Sequence, residues 1–225
     1  RNIADRRKGV GCDQILLVKH YDQADAEMIV FNSDGTSSQA CGNGARCVVR
    51  YLAEKLGKND IRLLAGNRII TGNKLSQNIV SIDMGRPEFD WKKIPLSKSM
   101  DPFDLDLNFE DKFGNIISNP VALNVGNPHV VFFTEENNKI DLRDLGPQIE
   151  NHSLFPERVN VNLVTVIDRS SINIRVWERG AGLTLACGTG ACASAVAAKN
   201  RNLCDNNIDV SLPGGLLKIN LDDKE

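Results

Sequence analysis

The sequence predicts an α+β protein built from two similar domains. Three observations carry that reading. A motif recurs at a fixed distance, short alternating strand-like runs outnumber helical ones, and Asp83-Met84-Gly85-Arg86-Pro87 interrupts a strand with Gly and Pro midway through the pattern. The boundary is placed at Met84, giving domains 1–84 and 85–225. The motif is Ala40-Cys41-Gly42-Asn43-Gly44-Ala45, repeated as Ala186-Cys187-Gly188-Thr189-Gly190-Ala191 with a shift of 146 residues (41 to 187).

Each part of the repeated unit has its own signal. Glu27 to Asn32 alternates like a strand and overlies Asn173 to Glu178, so Asn32 and Glu178 fall at equivalent places. A Gly-containing loop follows each, then the Cys-Gly-x-Gly stretch. Ala45 to Leu56 and Ala191 to Asn202 carry apolar residues every three or four positions and read as helices; Ile61 to Leu64 and Ile208 to Leu212 read as the strands after them. Further strands are predicted at Ile15–Val18, Arg68–Thr71, Ile79–Asp83, Val121–Val125, Val130–Phe133, Asn160–Ile167 and Leu216–Leu221. Leu142 to Asn151 reads as a weaker helix across Leu145-Gly146-Pro147, and Ser97 to Asn119 is polar and turn-rich. At the start, Asn2 to Lys8 reads as the last turns of a helix closed by Gly9. An upstream segment and a further piece beyond Glu225 are both expected.

Composition narrows the function classes. The chain has 225 residues, long enough to bury a core without disulfides, and its 41% hydrophobic and 25% charged residues are ordinary globular usage. With 27 Lys and Arg against 29 Asp and Glu the formal charge is −2, without the basic footprint of a nucleic-acid binder. No apolar run is long enough to span a bilayer and no charged-then-apolar leader opens the sequence, so the expectation is a soluble cytoplasmic protein without membrane or nucleic-acid partners. Six cysteines, Cys12, Cys41, Cys47, Cys187, Cys192 and Cys204, are expected as reduced thiols, and their spacings do not match paired zinc ligands, so no metal is expected. Cys12, Cys47, Cys192 and Cys204 read as small packing residues. His20 and His152 read as surface residues.

Cys41 and Cys187 are different, because a packing cysteine has no reason to recur with the same loop in both halves. At the head of a helix a thiol meets unpaired backbone N–H groups and the positive end of the macrodipole, which favour thiolate and should bring the pKa toward neutrality. The neighbouring glycines, Gly42 and Gly188 first, let the backbone approach a ligand and leave amides to hold a carboxylate. If the halves face each other across an interdomain cleft, one sulfur removes a proton from a carbon while the other returns a proton to the opposite face. That is two-base racemase or epimerase chemistry without a cofactor. An α-proton is weakly acidic, so hydrogen bonds to the developing carbanion's carboxylate must lower much of the barrier. Asn43 and Thr189 either add such bonds or merely cap their helices.

At this point the sequence resembles the diaminopimelate epimerase family of the lysine pathway. The matching blocks are Gly9-Val10-Gly11-Cys12-Asp13-Gln14, Phe31-Asn32, Ala40 to Arg46, Gly126-Asn127-Pro128-His129, Glu157-Arg158-Val159-Asn160, Glu178-Arg179-Gly180-Ala181-Gly182 and Ala186 to Gly190, in order over essentially the whole chain. The resemblance implies two pseudo-symmetric domains, each a mostly antiparallel sheet or open barrel around a central helix. It implies that Cys41 and Cys187 are the acid/base pair interconverting LL- and meso-2,6-diaminopimelate, with His129 and Glu178 supporting the chemistry. Gln14, Asn32, Gly42, Asn43, Asn127, Asn160, Glu178, Arg179, Gly188 and Thr189 would hold the substrate. Neither pyridoxal phosphate nor metal is implied, and a homodimer that closes over its ligand is. The family pattern has elements before Arg1 and after Glu225, so this stretch by itself is expected to turn over weakly or not at all. The rivals are a proline or hydroxyproline racemase of similar build, a thiol redox protein cycling Cys41 and Cys187, and a nonenzymatic binding module.

Overall fold

The computed structural model describes residues 1–38 and 42–222. The chain divides into two compact units, Arg1–Gly85 and Arg86–Glu225.

Unit 1 holds β1 (Gln14–Lys19), β2 (Ala26–Asn32), β3 (Ser37–Ser38), α1 (Gly42–Leu56), β4 (Asp60–Ala65), β5 (Arg68–Lys74) and β6 (Val80–Ile82). The strands form one sheet in the order β1-β2-β4-β5-β6, with β3 on β2. Among the described residues only β2 and β4 run parallel, a pairing that the α1 crossover between them allows; the other pairs are antiparallel. Alternate residues Ala26, Met28 and Val30 on β2 and Ile61 and Leu63 on β4 point at α1, which answers with Val48, Val49, Leu52 and Ala53. The opposite side of α1 is exposed at Tyr51 and Leu56, so this helix is amphipathic in the ordinary way.

Unit 2 continues with β7 (Asn108–Glu110), β8 (Ile116–Ser118), β9 (Val121–Asn124), β10 (Pro128–Phe133), α2 (Leu142–Glu150), β11 (Asn160–Asp168), β12 (Ser171–Glu178), β13 (Gly182–Thr184), α3 (Gly188–Asn200), β14 (Asn207–Leu212) and β15 (Gly215–Asn220). Its main sheet runs β15-β14-β12-β11-β10-β9, with β13 on β12. Two pairs, β10·β11 and β12·β14, are parallel, so both main sheets are mixed. One face packs on α3 through Leu123, Val131, Val164, Ile172, Ile174 and Val176. The other packs on α2 and on the segment carrying Ile94, Leu105 and Ile117, through Val130, Phe132, Val161 and Leu163. Burial on both faces explains the continuous apolar runs of β9 to β11. Asp111, between β7 and β8, accepts hydrogen bonds from the backbone N–H of Phe113, Asn115 and Asp141, tying that hairpin to the start of α2.

The repeat holds element by element. A shift of 146 carries β1 onto β11, β2 onto β12, β3 onto β13 and the first residue of α1 onto that of α3; beyond the helices it becomes 147, matching Ile61 with Ile208 and Leu63 with Val210. α3 ends two residues earlier than α1 and its link to β14 is three residues longer, a net gain of one. Three expectations fail. Arg1 to Gly9 forms isolated turns rather than a helix, because the Asp5 carboxylate accepts the N–H groups of Arg7 and Lys8 and competes with helical bonding. Cys47 is exposed on α1 instead of packed. His152 is half-buried, its ring edge-on to Phe109.

Candidate active site

In unit 2 the candidate residues gather around the head of α3. Cys187 occupies the N-cap with extended backbone (φ −138°, ψ 110°), so its side chain turns back over the helix and accepts the N–H of Gly190, N···Sγ 3.3 Å. The Thr189 hydroxyl lies 3.4 Å from the same sulfur. Thr189 therefore serves the cysteine and does not cap the helix. A Cβ on Gly190 would stand 3.3 Å from Sγ and 3.0 Å from Val176 Cγ2, so this glycine keeps room for the sulfur. The strand leading in is pinned by the N–H of Gly214 donating to the Leu185 carbonyl at 2.7 Å.

The electrostatics of Cys187 depart from the helix-dipole expectation. The residue is 4% exposed, and burial, reinforced by the negative charge of Glu178, pushes the thiol up to about 12. The bonds from Thr189 and Gly190 pull the other way without prevailing. Loss of water costs a lone thiolate more than one amide and one hydroxyl return. Cys187 is a thiol at neutral pH.

Glu178, at the end of β12, accepts the Thr184 hydroxyl at 2.6 Å. Arg179 follows, its backbone N–H donating to Asn160 Oδ1 at 2.9 Å and its guanidinium to the Glu157 carbonyl at 2.9 Å. Asn160 Nδ2 donates to the Pro128 carbonyl at 2.7 Å, so its amide is engaged at both ends and ties the Arg179 backbone to the start of β10. His129 is fully buried and lowered to about 4, by desolvation first and by the nearby Arg179 charge. Nδ1 lies 3.1 Å from Asn162 Oδ1 and Nε2 3.0 Å from Asn127 Oδ1. Asn162 uses Nδ2 to donate to the Gly190 carbonyl and Ser194 Oγ, which leaves only its oxygen for the ring. The imidazole therefore donates Nδ1–H to Asn162, and Nε2 lies against Asn127 Oδ1. Both ring nitrogens are committed to asparagines, which makes His129 a brace from β10 to the first turn of α3.

Unit 1 carries its own copy of the repeated residues. Gln14 and Asn32 are direct cross-strand partners of β1 and β2, and Gln14 Nε2 donates to Asn32 Oδ1 at 3.1 Å. Asn32 Nδ2 in turn donates to Thr36 Oγ1. Gly42 opens α1 as Gly188 opens α3, and Asn43 accepts Arg46 Nη2 at 2.6 Å. Cys41, with Ala40, lies outside the described residues. Sequence reasoning assigned no role to Asn162, Ser194 or Glu150. Asn162 carried a signal, a polar residue inside the apolar run of β11.

The architecture defines a class of two-sheet proteins to which several solved structures belong. A hydroxyproline epimerase from Agrobacterium vitis superposes with TM-score 0.64 at 15% identity, over 96% of this chain and 69% of the other. A probable proline racemase from Agrobacterium radiobacter K84 gives 0.66 at 14% identity, over 96% and 70%. These share the fold. The family model for diaminopimelate epimerase matches residues 1–89 and 121–225. The diaminopimelate epimerase of Pelagibacter ubique is 45% identical over 97% of this chain and 80% of its own length, and that of Rhizorhabdus wittichii 48% identical over 97% and 76%. The chain belongs to the diaminopimelate epimerase family.

Proposed function

We propose that this protein is a cofactor-independent isomerase that interconverts LL- and meso-2,6-diaminopimelate, a step toward lysine and cell-wall precursors. The observation that carries the reading is the family match, which spans the blocks of both repeated cysteines. In the proposed reaction one sulfur, as thiolate, takes the α-proton, leaving a carbanion whose charge spreads into the carboxylate. The thiol of the other sulfur delivers its proton to the opposite face, and the centre is inverted. The raised pKa of Cys187 keeps its sulfur protonated and casts it as the proton donor, with Cys41 as the base, for one direction. Return requires the protonation states to exchange. Backbone amides at the helix heads, with Arg179 and Thr189, are the donors proposed to hold the substrate carboxylate. Gln14, Asn32, Asn43 and Asn127 supply polar groups for the remainder of a substrate with two amino-acid heads.

The test is incubation of LL-diaminopimelate with the full-length protein in D2O under reducing conditions. Deuterium at one α-carbon together with the meso product is expected. No exchange, or inversion of proline or hydroxyproline at a higher kcat/KM, would overturn the reading. Activity that requires an oxidant would favour thiol redox chemistry instead. We further propose a cytoplasmic homodimer, as the family resemblance suggests, to be checked by sedimentation of the full-length protein. No helix among the described residues is long and apolar enough to cross a membrane.

A further inference from the structure

We infer that Glu150 is a positioning residue for the site, holding the turn that carries Glu178 and Arg179. The inference rests on the functional reading above for its kinetic arm.

Glu150 is the last residue of α2, where the negative end of the helix dipole disfavours a carboxylate, and it is buried, where an anion needs partners. Those partners all lie on the chain that frames the site. Oε2 accepts the indole N–H of Trp177 at 2.7 Å, immediately before Glu178. Oε1 accepts the backbone N–H of Gly180 at 2.9 Å, immediately after Arg179, and the Arg158 guanidinium at 3.1 Å. Arg158 itself sits at φ 61°, a left-handed conformation that non-glycine residues seldom adopt, and lies two residues before Asn160. One carboxylate thus fixes both sides of the Glu178-Arg179 pair, while Asn160 fixes the amide between them. Two locally unfavourable features, an acid at the wrong helix end and a left-handed arginine, converge on one bond network. Stability of α2 alone gives no reason for either.

The test uses Glu150→Gln in the full-length protein. An amide can accept on one side only, so it must set an N–H group against either the indole or the Gly180 amide. Amide hydrogen exchange over residues 177–182 is expected to accelerate at least tenfold while α3 and β10 stay unchanged. On diaminopimelate, KM is expected to rise and kcat to fall, lowering kcat/KM by at least tenfold. Partial unfolding would lower apparent kcat without moving KM. Trp177→Phe added to Glu150→Gln removes the opposing indole donor and is expected to recover severalfold of the lost kcat/KM. Unchanged exchange in 177–182, acceleration spread evenly over unit 2, or an unchanged KM would overturn the inference. A wild type without turnover would overturn the functional reading instead, and the exchange arm, which needs no substrate, would still decide whether Glu150 holds the turn.

Discussion

At the scale of single residues, the molecule separates cysteines that look alike in the sequence. Cys47 is exposed, whereas Cys187 and Cys204 are buried, and burial raises the pKa of both thiols. Iodoacetamide near pH 7.5 is therefore expected to label Cys47 well before Cys187, as read by peptide mass spectrometry; equal rates would contradict the burial of the α3 head. Replacing Cys41 or Cys187 singly by Ala is expected to lower kcat for epimerisation on the order of 10²–10⁴-fold, the usual worth of a general acid or base. A variant within threefold of wild type would remove that cysteine from the reaction. His129 gives a pH dependence of stability. Its folded pKa of about 4 lies below the ordinary 6.5, so between those values the unfolded chain binds a proton that the folded chain refuses. Stability should be complete above pH 6.5 and decline by about 3 kcal/mol as pH falls through 4. Urea titrations at several pH values check this, and His129→Gln should flatten that window. The placement of Cys187 at a helix head and of Glu178 at a strand end was legible from the repeat. The thiol's direction of titration was not, because spacing reports where a helix begins but not how much water reaches its first turn.

At the scale of elements, α2 is the instructive case. Gly146 and Pro147 argue against a helix, yet Leu142–Glu150 is one. The reason lies across the sheet face: a Cβ at Gly146 would collide with the Trp177 ring, so close approach of helix and strand demands glycine there. Gly146→Ala is expected to destabilise the protein by about 1–3 kcal/mol through overpacking, measured by denaturant unfolding. A neutral substitution would mean that Trp177 can move aside. The repeated strands and both repeated helices could be read from periodicity because their apolar faces are defined by local spacing. The short β3 and β13, and the β7–β8 hairpin, could not. Two or three residues carry no period, and what orders them is pairing to distant partners such as Val30 and Val176.

At the scale of the whole molecule, two copies of one plan have been clothed differently. Unit 1 supports one face of its sheet with one amphipathic helix, while unit 2 covers both faces and surrounds α3, whose residues from Thr189 to Ala198 are nearly all enclosed. Native-state hydrogen exchange is expected to be slowest in β10, β11 and α3 and faster throughout unit 1. The reverse ranking would show that burial does not set the order of opening here. Enclosure of α3 has a practical corollary for anyone wishing to retune this enzyme. A rod of Ala, Ser and Val walled in on every side has no slack for tilting or sliding, so libraries aimed at relocating its sulfur through the rod itself will yield mostly misfolded clones. Diversity is better spent on the surrounding turns, which can change what the sulfur meets while leaving its seat alone.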